Sequence, residues 1–211
     1  MANKRKGRSR KSPPQSARPA PASAVDRPRI ERAVLEILRA IGEDTSREGL
    51  RGTPRRVAEM YEEIFSGMRR KPEDDLIVFQ DETHEEMVLV RDIPFYSICE
   101  HHLMPFSGKA HIAYIPNKNR ITGLSKLPRI LDTFARRPQL QERLTTQVAD
   151  SMMRLLKPQG VLIVIEAEHL CLTMRGVRKP GSLMVTSAVR GVFERSGRTR
   201  SEALAFLHLQ R

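Results

Sequence analysis

Residues 86–98, EMVLVRDIPFYSI, and residues 109–115, KAHIAYI, are apolar runs rich in Val, Ile and aromatic residues that predict two β-strands. Residues 116–119, PNKN, follow the second run and predict a hairpin turn. Residues 160–174, GVLIVIEAEHLCLTM, and residues 182–193, SLMVTSAVRGVF, predict a second pair of strands. Helical patterns lie before, between and after these pairs. We therefore expect an α+β domain with an antiparallel sheet rather than a doubly wound parallel one.

Five amphipathic stretches predict the helices. The first begins near Ile30 and stops at Gly42. The second has Thr53 as its expected cap, Pro54 at its first position and Gly67 at its end. The remaining three are expected at residues 125–135, 140–156 and 199–209.

The first residues of the chain differ in composition from the rest. Residues 1–29 contain nine Lys and Arg against one acid, and so carry +8 of the formal net charge of +12. This Pro-rich segment predicts a disordered basic tail over residues 1–28, followed by one globular domain over 29–211. Within that domain we expect helices over about 29–68 and the core over about 76–211. The high pI therefore belongs to the tail and does not by itself make the domain a nucleic-acid binder.

The sequence also carries expectations about location and cysteine chemistry. It shows no apolar run suited to a signal peptide or a membrane span, so we expect a cytoplasmic protein. In a reducing compartment, cysteines are more often metal-binding or catalytic than joined in a disulfide. We expect the same of the two cysteines of this chain.

Both cysteines lie beside histidines. Residues 97–106, SICEHHLMPF, place Cys99 and His102 at C-x-x-H spacing. Cys171 follows His169 by two positions on an expected strand, so these two side chains are expected to project from the same face. Two thiolates and one imidazole are the three protein ligands of a catalytic zinc, which keeps a fourth position open. The alternative is that the cysteines are small buried apolar residues and the histidines are ordinary polar groups. The residues alone do not decide the imidazole ligand among His101, His102 and His169.

Residues 123–130, GLSKLPRI, could form an anion site. Ser125 is placed to cap the following helix, and Lys126 and Arg129 fall on one helical face. Free backbone amides and two cations at a helix start suit a phosphate chain. The alternative is an ordinary capped helix with a solvated basic face.

Gln141 and Glu142 stand at the start of another expected helix. A carboxylate there can complement the helix dipole, or it can accept two parallel N–H groups from a guanine base. Arg175 and Arg56 are further candidates for anion contacts, and either could equally be a surface arginine.

Five segments in this order and spacing closely resemble the GTP cyclohydrolase I family: CEHHLMPFSGKAHIAYIPN (99–117), GLSKLPRI (123–130), RPQLQERLT (137–145), HLCLTMRGV (169–177) and MVTSAVRGVF (184–193). The resemblance runs from about Ile30 to the C-terminus and includes GTPRRVAEMY at 52–61. It implies a T-fold, in which helices pack on one face of an antiparallel sheet. It also implies a homodecamer of two pentamers with active sites at subunit interfaces.

The resemblance also implies a role for each candidate residue. The zinc ligands fall on Cys99, His102 and Cys171. The proton-transfer groups fall on His101, His169 and Ser125. The triphosphate contacts fall on Arg56, Ser125, Lys126, Arg129 and Arg175, and the guanine contacts fall on Gln141 and Glu142. Glu168 departs from the family pattern, because a small or neutral residue is expected before the histidine; it could raise the pKa of His169 or point away.

The implied reaction converts GTP and water to 7,8-dihydroneopterin triphosphate and formate, the first step of folate and pterin biosynthesis. Zinc would lower the pKa of a water molecule for attack on carbon-8, and a histidine would protonate nitrogen-7. Three alternatives stay open at this point. They are a sister T-fold nitrile reductase with a cysteine nucleophile and a nicotinamide cofactor, a non-catalytic zinc-binding interaction protein, and a nucleic-acid-associated protein that uses the basic tail.

Overall fold

The computed structural model describes residues 25–79, 84–118 and 120–207. The expected basic tail therefore falls largely outside the described residues. Helix α1 begins at Arg27, where the Asp26 carboxylate accepts a hydrogen bond from the Arg29 N–H at 3.0 Å. In this part of the chain, no helix has the length and apolar character needed to cross a bilayer.

The helices before the sheet are α1 (Arg27–Ala40), α2 (Glu48–Arg51), α3 (Thr53–Ile64), a 3₁₀ turn (Ser66–Met68) and α4 (Pro72–Asp75). An ion pair between Arg27 and Glu62 joins α1 to α3. The prediction that Thr53 caps α3 is wrong, because Thr53 is the first residue of the helix and Gly52 occupies the cap position. The Thr53 hydroxyl instead donates to the Gly49 carbonyl at 3.4 Å.

The later elements are β1 (Val78–Phe79), β2 (Val88–Cys99), β3 (Met104–Ile115), β4 (Ile121–Thr122), α5 (Lys126–Ala135), β5 (Pro138–Gln139), α6 (Gln141–Leu156), β6 (Gly160–His169), α7 (Leu170–Thr173), β7 (Met184–Gly191), α8 (Val192–Arg195) and α9 (Gly197–Leu207). The main sheet has five strands in the order β5-β2-β3-β6-β7. Its four long strands are antiparallel, and the two-residue β5 runs parallel to β2. The expected α+β class with an antiparallel sheet is confirmed.

The prediction of a hairpin turn at residues 116–119 is wrong. The chain leaves β3 there and enters β4, which pairs with β1 in a separate two-stranded sheet; Asn119 lies outside the described residues. The tight hairpin lies instead between β2 and β3, where Cys99 pairs with Met104. Leu103 closes it with a positive φ of 53° and an N–H bond to the Cys99 carbonyl at 2.9 Å. The C-E-H-H segment is thus the turn between two central strands.

Helices α5 and α6 pack on one face of the sheet and form the main core with it. The buried side chains of this core include Phe95, Phe106, Ile112, Leu127, Leu131, Leu144, Met152, Ile163 and Ile165. A smaller cluster contains Ala113, Leu162, Phe193 and Ala203. Since neighbouring strand residues point to opposite faces, Ala113 and Leu162 face away from the main core, and α8 and α9 cover part of that second face.

Candidate active site

The two cysteines come together from distant parts of the chain. Cys99 is the last residue of β2, and Cys171 lies in the helical turn α7 that follows β6. Their sulfurs are 4.0 Å apart. The ligand atoms of Cys99, His169 and Cys171 all lie within 4.8 Å of one another.

This geometry suits a metal ion better than a disulfide. The separation of 4.0 Å is about twice an S–S bond. It is close to the roughly 3.8 Å between two thiolates that each lie about 2.3 Å from a tetrahedral ion. Burial and the neighbouring Cys99 sulfur raise the pKa of the Cys171 thiol. A cation between the sulfurs would offset both effects, so the Cys-His-Cys group could hold a metal ion.

The prediction that His169 and Cys171 project from the same face of one strand is wrong. Strand β6 ends at His169, and the chain turns into α7 at Leu170, so the two residues do not share a strand face. They meet because the helical turn brings Cys171 back toward the end of β2.

His169 is held by two different contacts. Its ring stacks on Phe106, with the ring centroids 4.4 Å apart and the planes 5° from parallel. Its Nε2 lies 2.8 Å from the Gln141 Oε1. Burial lowers the pKa of His169, and the negative charge of Glu142 opposes that shift. The Glu142 carboxylate is therefore close enough to act electrostatically on His169.

His102, on the turn between β2 and β3, faces Arg175 in this structure. The Arg175 guanidinium donates to the His102 Nε2 at 3.1 Å. The His101 ring meets the His102 ring edge to face at a centroid distance of 6.4 Å, and both histidines are exposed. Arg175 also lowers the pKa of Cys171, although less than burial raises it. Arg175 thus lies between His102 and the charge of Cys171, but the three-residue group contains His169 and not His102.

Gln141 and Glu142 differ sharply in exposure. Gln141 is 1% exposed, and its amide nitrogen donates to the Ile165 and Met184 carbonyls and to the Thr186 hydroxyl. Glu142, the next residue in the first turn of α6, is exposed. Of the two side chains, only that of Glu142 is therefore exposed to solvent.

The basic segment at the start of α5 lies away from the cysteines. The Ser97 hydroxyl donates to the Ala135 carbonyl at 2.7 Å, which ties the C-terminal end of α5 to the end of β2 that carries Cys99. Ser125 stands at the other end of α5, whose 10 residues extend about 15 Å. Ser125 occupies the expected cap position of α5, but its hydroxyl makes no capping hydrogen bond in the described structure. Ser125 and Arg129 are exposed and Lys126 is half-buried.

Two further candidates have partners elsewhere. The Arg56 guanidinium donates to the Gly49 carbonyl at 3.0 Å and to the Thr53 hydroxyl at 2.9 Å, within the N-terminal helical region. Glu168 accepts a hydrogen bond from the Gly181 N–H at 3.3 Å. Of the two possibilities for Glu168, the structure favours a side chain that points away, because the charge acting on His169 is that of Glu142.

Sequence reasoning missed the side chains that support the site. Phe106 lies directly opposite His169 in the β3 and β6 register, and Arg143 on α6 forms an ion pair with Glu100 in the hairpin turn. Both contacts depend on strand pairing. A correct pairing of β3 with β6 would have identified Phe106, because cross-strand neighbours share a face.

Comparison with known proteins gives the family. The model of the GTP cyclohydrolase I family matches residues 30–208. The chain belongs to the GTP cyclohydrolase I family. It is 63% identical to GTP cyclohydrolase 1 of Carboxydothermus hydrogenoformans over 87% of this chain and 95% of that protein. It is also 63% identical to GTP cyclohydrolase 1 of Clostridioides difficile, over 88% of this chain and 98% of that protein. The family resemblance inferred from the sequence is confirmed.

Other relatives extend the comparison. GTP cyclohydrolase 1 of Pelotomaculum thermopropionicum is 64% identical over 86% of this chain and 97% of that protein. The apo form of the archaeosine synthase QueF-Like aligns at 15% identity with a TM-score of 0.43, covering 52% of this chain and 97% of that one. As a member of the GTP cyclohydrolase I family, the chain has the expected T-fold, with α5 and α6 packed on its antiparallel sheet.

Proposed function

We propose that this member of the GTP cyclohydrolase I family converts GTP and water to 7,8-dihydroneopterin triphosphate and formate, in folate and pterin biosynthesis. The observation that carries the proposal is the Cys99-His169-Cys171 group with Glu142 close by, in a chain of this family. A metal-binding group beside a carboxylate that can pair with guanine suits hydrolytic opening of a purine ring.

Zinc is the proposed metal. Cys99 and Cys171 would hold it together with one imidazole, which the family resemblance assigns to His102. When bound, zinc supplies Lewis acidity that lowers the pKa of a water molecule. In this structure the Nε2 of His102 accepts a hydrogen bond from Arg175, so Arg175 is the neighbour that would adjust if His102 held the metal. His169 would then stand beside the metal as a separate group.

Glu142 would select the base. Its carboxylate offers two acceptor oxygens, which match the ring and exocyclic N–H groups of guanine and do not match adenine. The Glu142 side chain is exposed in the first turn of α6, so it can meet a ligand without rearrangement of the core.

His169 and His101 would move protons. His169 is held rigidly by Phe106 and Gln141, which suits a group that must take up a proton and then deliver it to nitrogen-7 as the ring opens. His101 is exposed on the hairpin turn and is the second candidate. Ser125 is proposed to act in the later proton transfers that accompany rearrangement of the ribose.

The positions of the residues proposed to contact phosphate support a site shared between copies of the chain. Ser125, Lys126 and Arg129 stand at the end of α5 far from its own cysteine pair. At that end, the Thr122 N–H donates to the Tyr114 hydroxyl at 3.4 Å, and most of the length of β3 separates Tyr114 from the cysteine end of the sheet. A second copy would complete the site by bringing its own α5 segment to these cysteines. Arg56 and Arg175 would add further phosphate contacts, and a homodecamer is the assembly proposed.

The test is incubation of the purified protein with GTP, followed by assays for formate and for a fluorescent pterin after oxidation. ATP is the matched control, because it lacks the two N–H groups that Glu142 would accept. Formate and pterin from GTP but not from ATP support the proposal. Turnover of a nitrile with a nicotinamide cofactor, or zinc binding without any turnover, would favour the alternatives. A cytoplasmic location stays a prediction.

A further inference from the structure

The orientation of the Gln141 amide is determined by its surroundings. The Gln141 side chain is buried, and its Nε2 lies 3.0 Å from both the Ile165 and the Met184 carbonyl oxygens. Carbonyl oxygens only accept hydrogen bonds, so the amide must direct its NH₂ group toward them. The opposite orientation would place the Gln141 Oε1 against two acceptors.

Two threonines agree with this orientation. The Thr145 hydroxyl donates to the Gln141 backbone carbonyl at 2.7 Å, which uses its single proton. The Thr186 hydroxyl, 2.7 Å from the Thr145 oxygen, must therefore donate to Thr145. The Thr186 oxygen then accepts from the Gln141 Nε2 at 3.1 Å. Every donor in this network has an acceptor only when the NH₂ group points this way.

The consequence falls on His169. The Gln141 Oε1 lies 2.8 Å from the His169 Nε2 and can only accept, so the His169 Nε2 must carry a hydrogen. Stacking on Phe106 fixes the plane of the ring. A neutral His169 therefore has its lone pair on Nδ1.

We propose that Gln141 is a positioning residue that holds His169 in the Nε2–H form, so that Nδ1 is the nitrogen available for the reaction. The catalytic part of this inference rests on the proposed function. It also gives Gln141 a different task from the guanine contact implied by the family resemblance. A guanine contact would affect substrate binding, whereas a positioning role acts through His169 on turnover.

The direct test is ¹⁵N NMR of solid protein labelled at histidine, with the His169 signal identified by its loss in His169→Asn. The wild-type spectrum should show a protonated Nε2 and, in the neutral ring, an unprotonated Nδ1. A protonated Nδ1 with an unprotonated Nε2 would overturn the proposal. This measurement needs neither turnover nor a variant of Gln141, so it separates the inference from the proposed function.

The kinetic test compares Gln141→Leu with the control Thr186→Val. Both remove a hydrogen bond of the same amide, but only Gln141→Leu removes the one to His169. We expect kcat of Gln141→Leu to fall on the order of 10- to 100-fold, as is typical when the partner that orients a functional histidine is lost, with KM for GTP within about twofold. Thr186→Val should change both constants by less than about threefold.

Two kinetic outcomes would overturn the positioning role. A raised KM with unchanged kcat in Gln141→Leu would overturn positioning in favour of substrate binding. Equal losses in Gln141→Leu and Thr186→Val would also overturn it, because they would reflect general loosening of the network. If Gln141→Leu does not fold, the wild-type NMR spectrum alone decides. If the wild type does not convert GTP, the proposed function fails while the spectrum still tests the tautomer.

Discussion

Glu142→Gln separates the two explanations of the acid at the start of α6. Glu142 is exposed in the first turn of that helix, and its charge acts on the partly buried His169. The amide has nearly the same shape as the carboxylate, so the substitution changes charge and hydrogen bonding without removing a contact surface. The hydrogen bonds around Gln141 should persist in this variant, because they are made by the Gln141 side chain and not by that of Glu142.

The two explanations predict effects of different size. An exposed acid that only complements the helix dipole contributes about 0.3 to 1 kcal/mol to stability and nothing to catalysis. A carboxylate that accepts two N–H groups from guanine would, as an amide, present a donor to a donor. We expect a loss on the order of 2 to 5 kcal/mol of transition-state binding, which is at least about thirtyfold in kcat/KM.

The assay is steady-state kinetics with GTP on the wild type, on Glu142→Gln and on Glu194→Gln, with zinc content and melting temperature measured for all three. Glu194 is a matched control, because it is an exposed acid in the first turn of α8. Zinc content and melting temperature should stay close to wild type in both variants, and only Glu142→Gln should lose kcat/KM. Unchanged kcat/KM in zinc-replete Glu142→Gln would refute the guanine contact.

Three further predictions concern the metal, the assembly and the pH dependence of stability. Cys171→Ala and His102→Ala should each lose the roughly one zinc per chain expected at a three-ligand site, while His169→Ala keeps it, as measured by elemental analysis; zinc lost from His169→Ala but kept by His102→Ala would reverse the assignment of the imidazole. Light scattering should show an assembly of about 240 kDa rather than the 24.1 kDa of one chain, and an active monomer would contradict a shared site. Burial lowers the pKa of His111, which neighbouring carboxylates only partly oppose, so the unfolded state binds more protons below about pH 6.5 and the free energy of unfolding should fall as pH drops through that range. His111→Gln should flatten this slope in denaturant titrations, and an unchanged slope would show that other groups carry it.

Local pattern was sufficient for most helices and strands. Helices α5 and α6 begin one residue after their expected starts and end where expected, at Ala135 and Leu156. This agreement follows from their apolar stripes, which recur at helical spacing because one side of each helix packs on the sheet. The side of a helix that becomes buried can therefore be predicted from the residues of that helix alone.

Turns and element ends depended on more than local pattern. Residues 116–119 have the composition of a hairpin turn, yet the hairpin forms at the C-E-H-H segment. The sequence pattern predicts Cys171 to be part of a strand, whereas in the structure it lies in a helical turn. In both places the outcome depends on which strand pairs with which, and strand pairing joins residues far apart in the chain.

The chemistry of the site divides in the same way. The sequence by itself determined the family and the residue types, because Cys99, Cys171 and Glu142 carry their chemistry wherever they are placed. Only the tertiary structure decided that His169 stands with the two sulfurs and that His102 faces Arg175. The acceptors around the Gln141 amide nitrogen, which are two carbonyl oxygens and the Thr186 hydroxyl, also became evident only in the tertiary structure. The physical reason is that the direction of a hydrogen bond is determined by every neighbour of a buried group, and the neighbours of this amide come from two strands, β6 and β7, that are distant from Gln141 in the sequence.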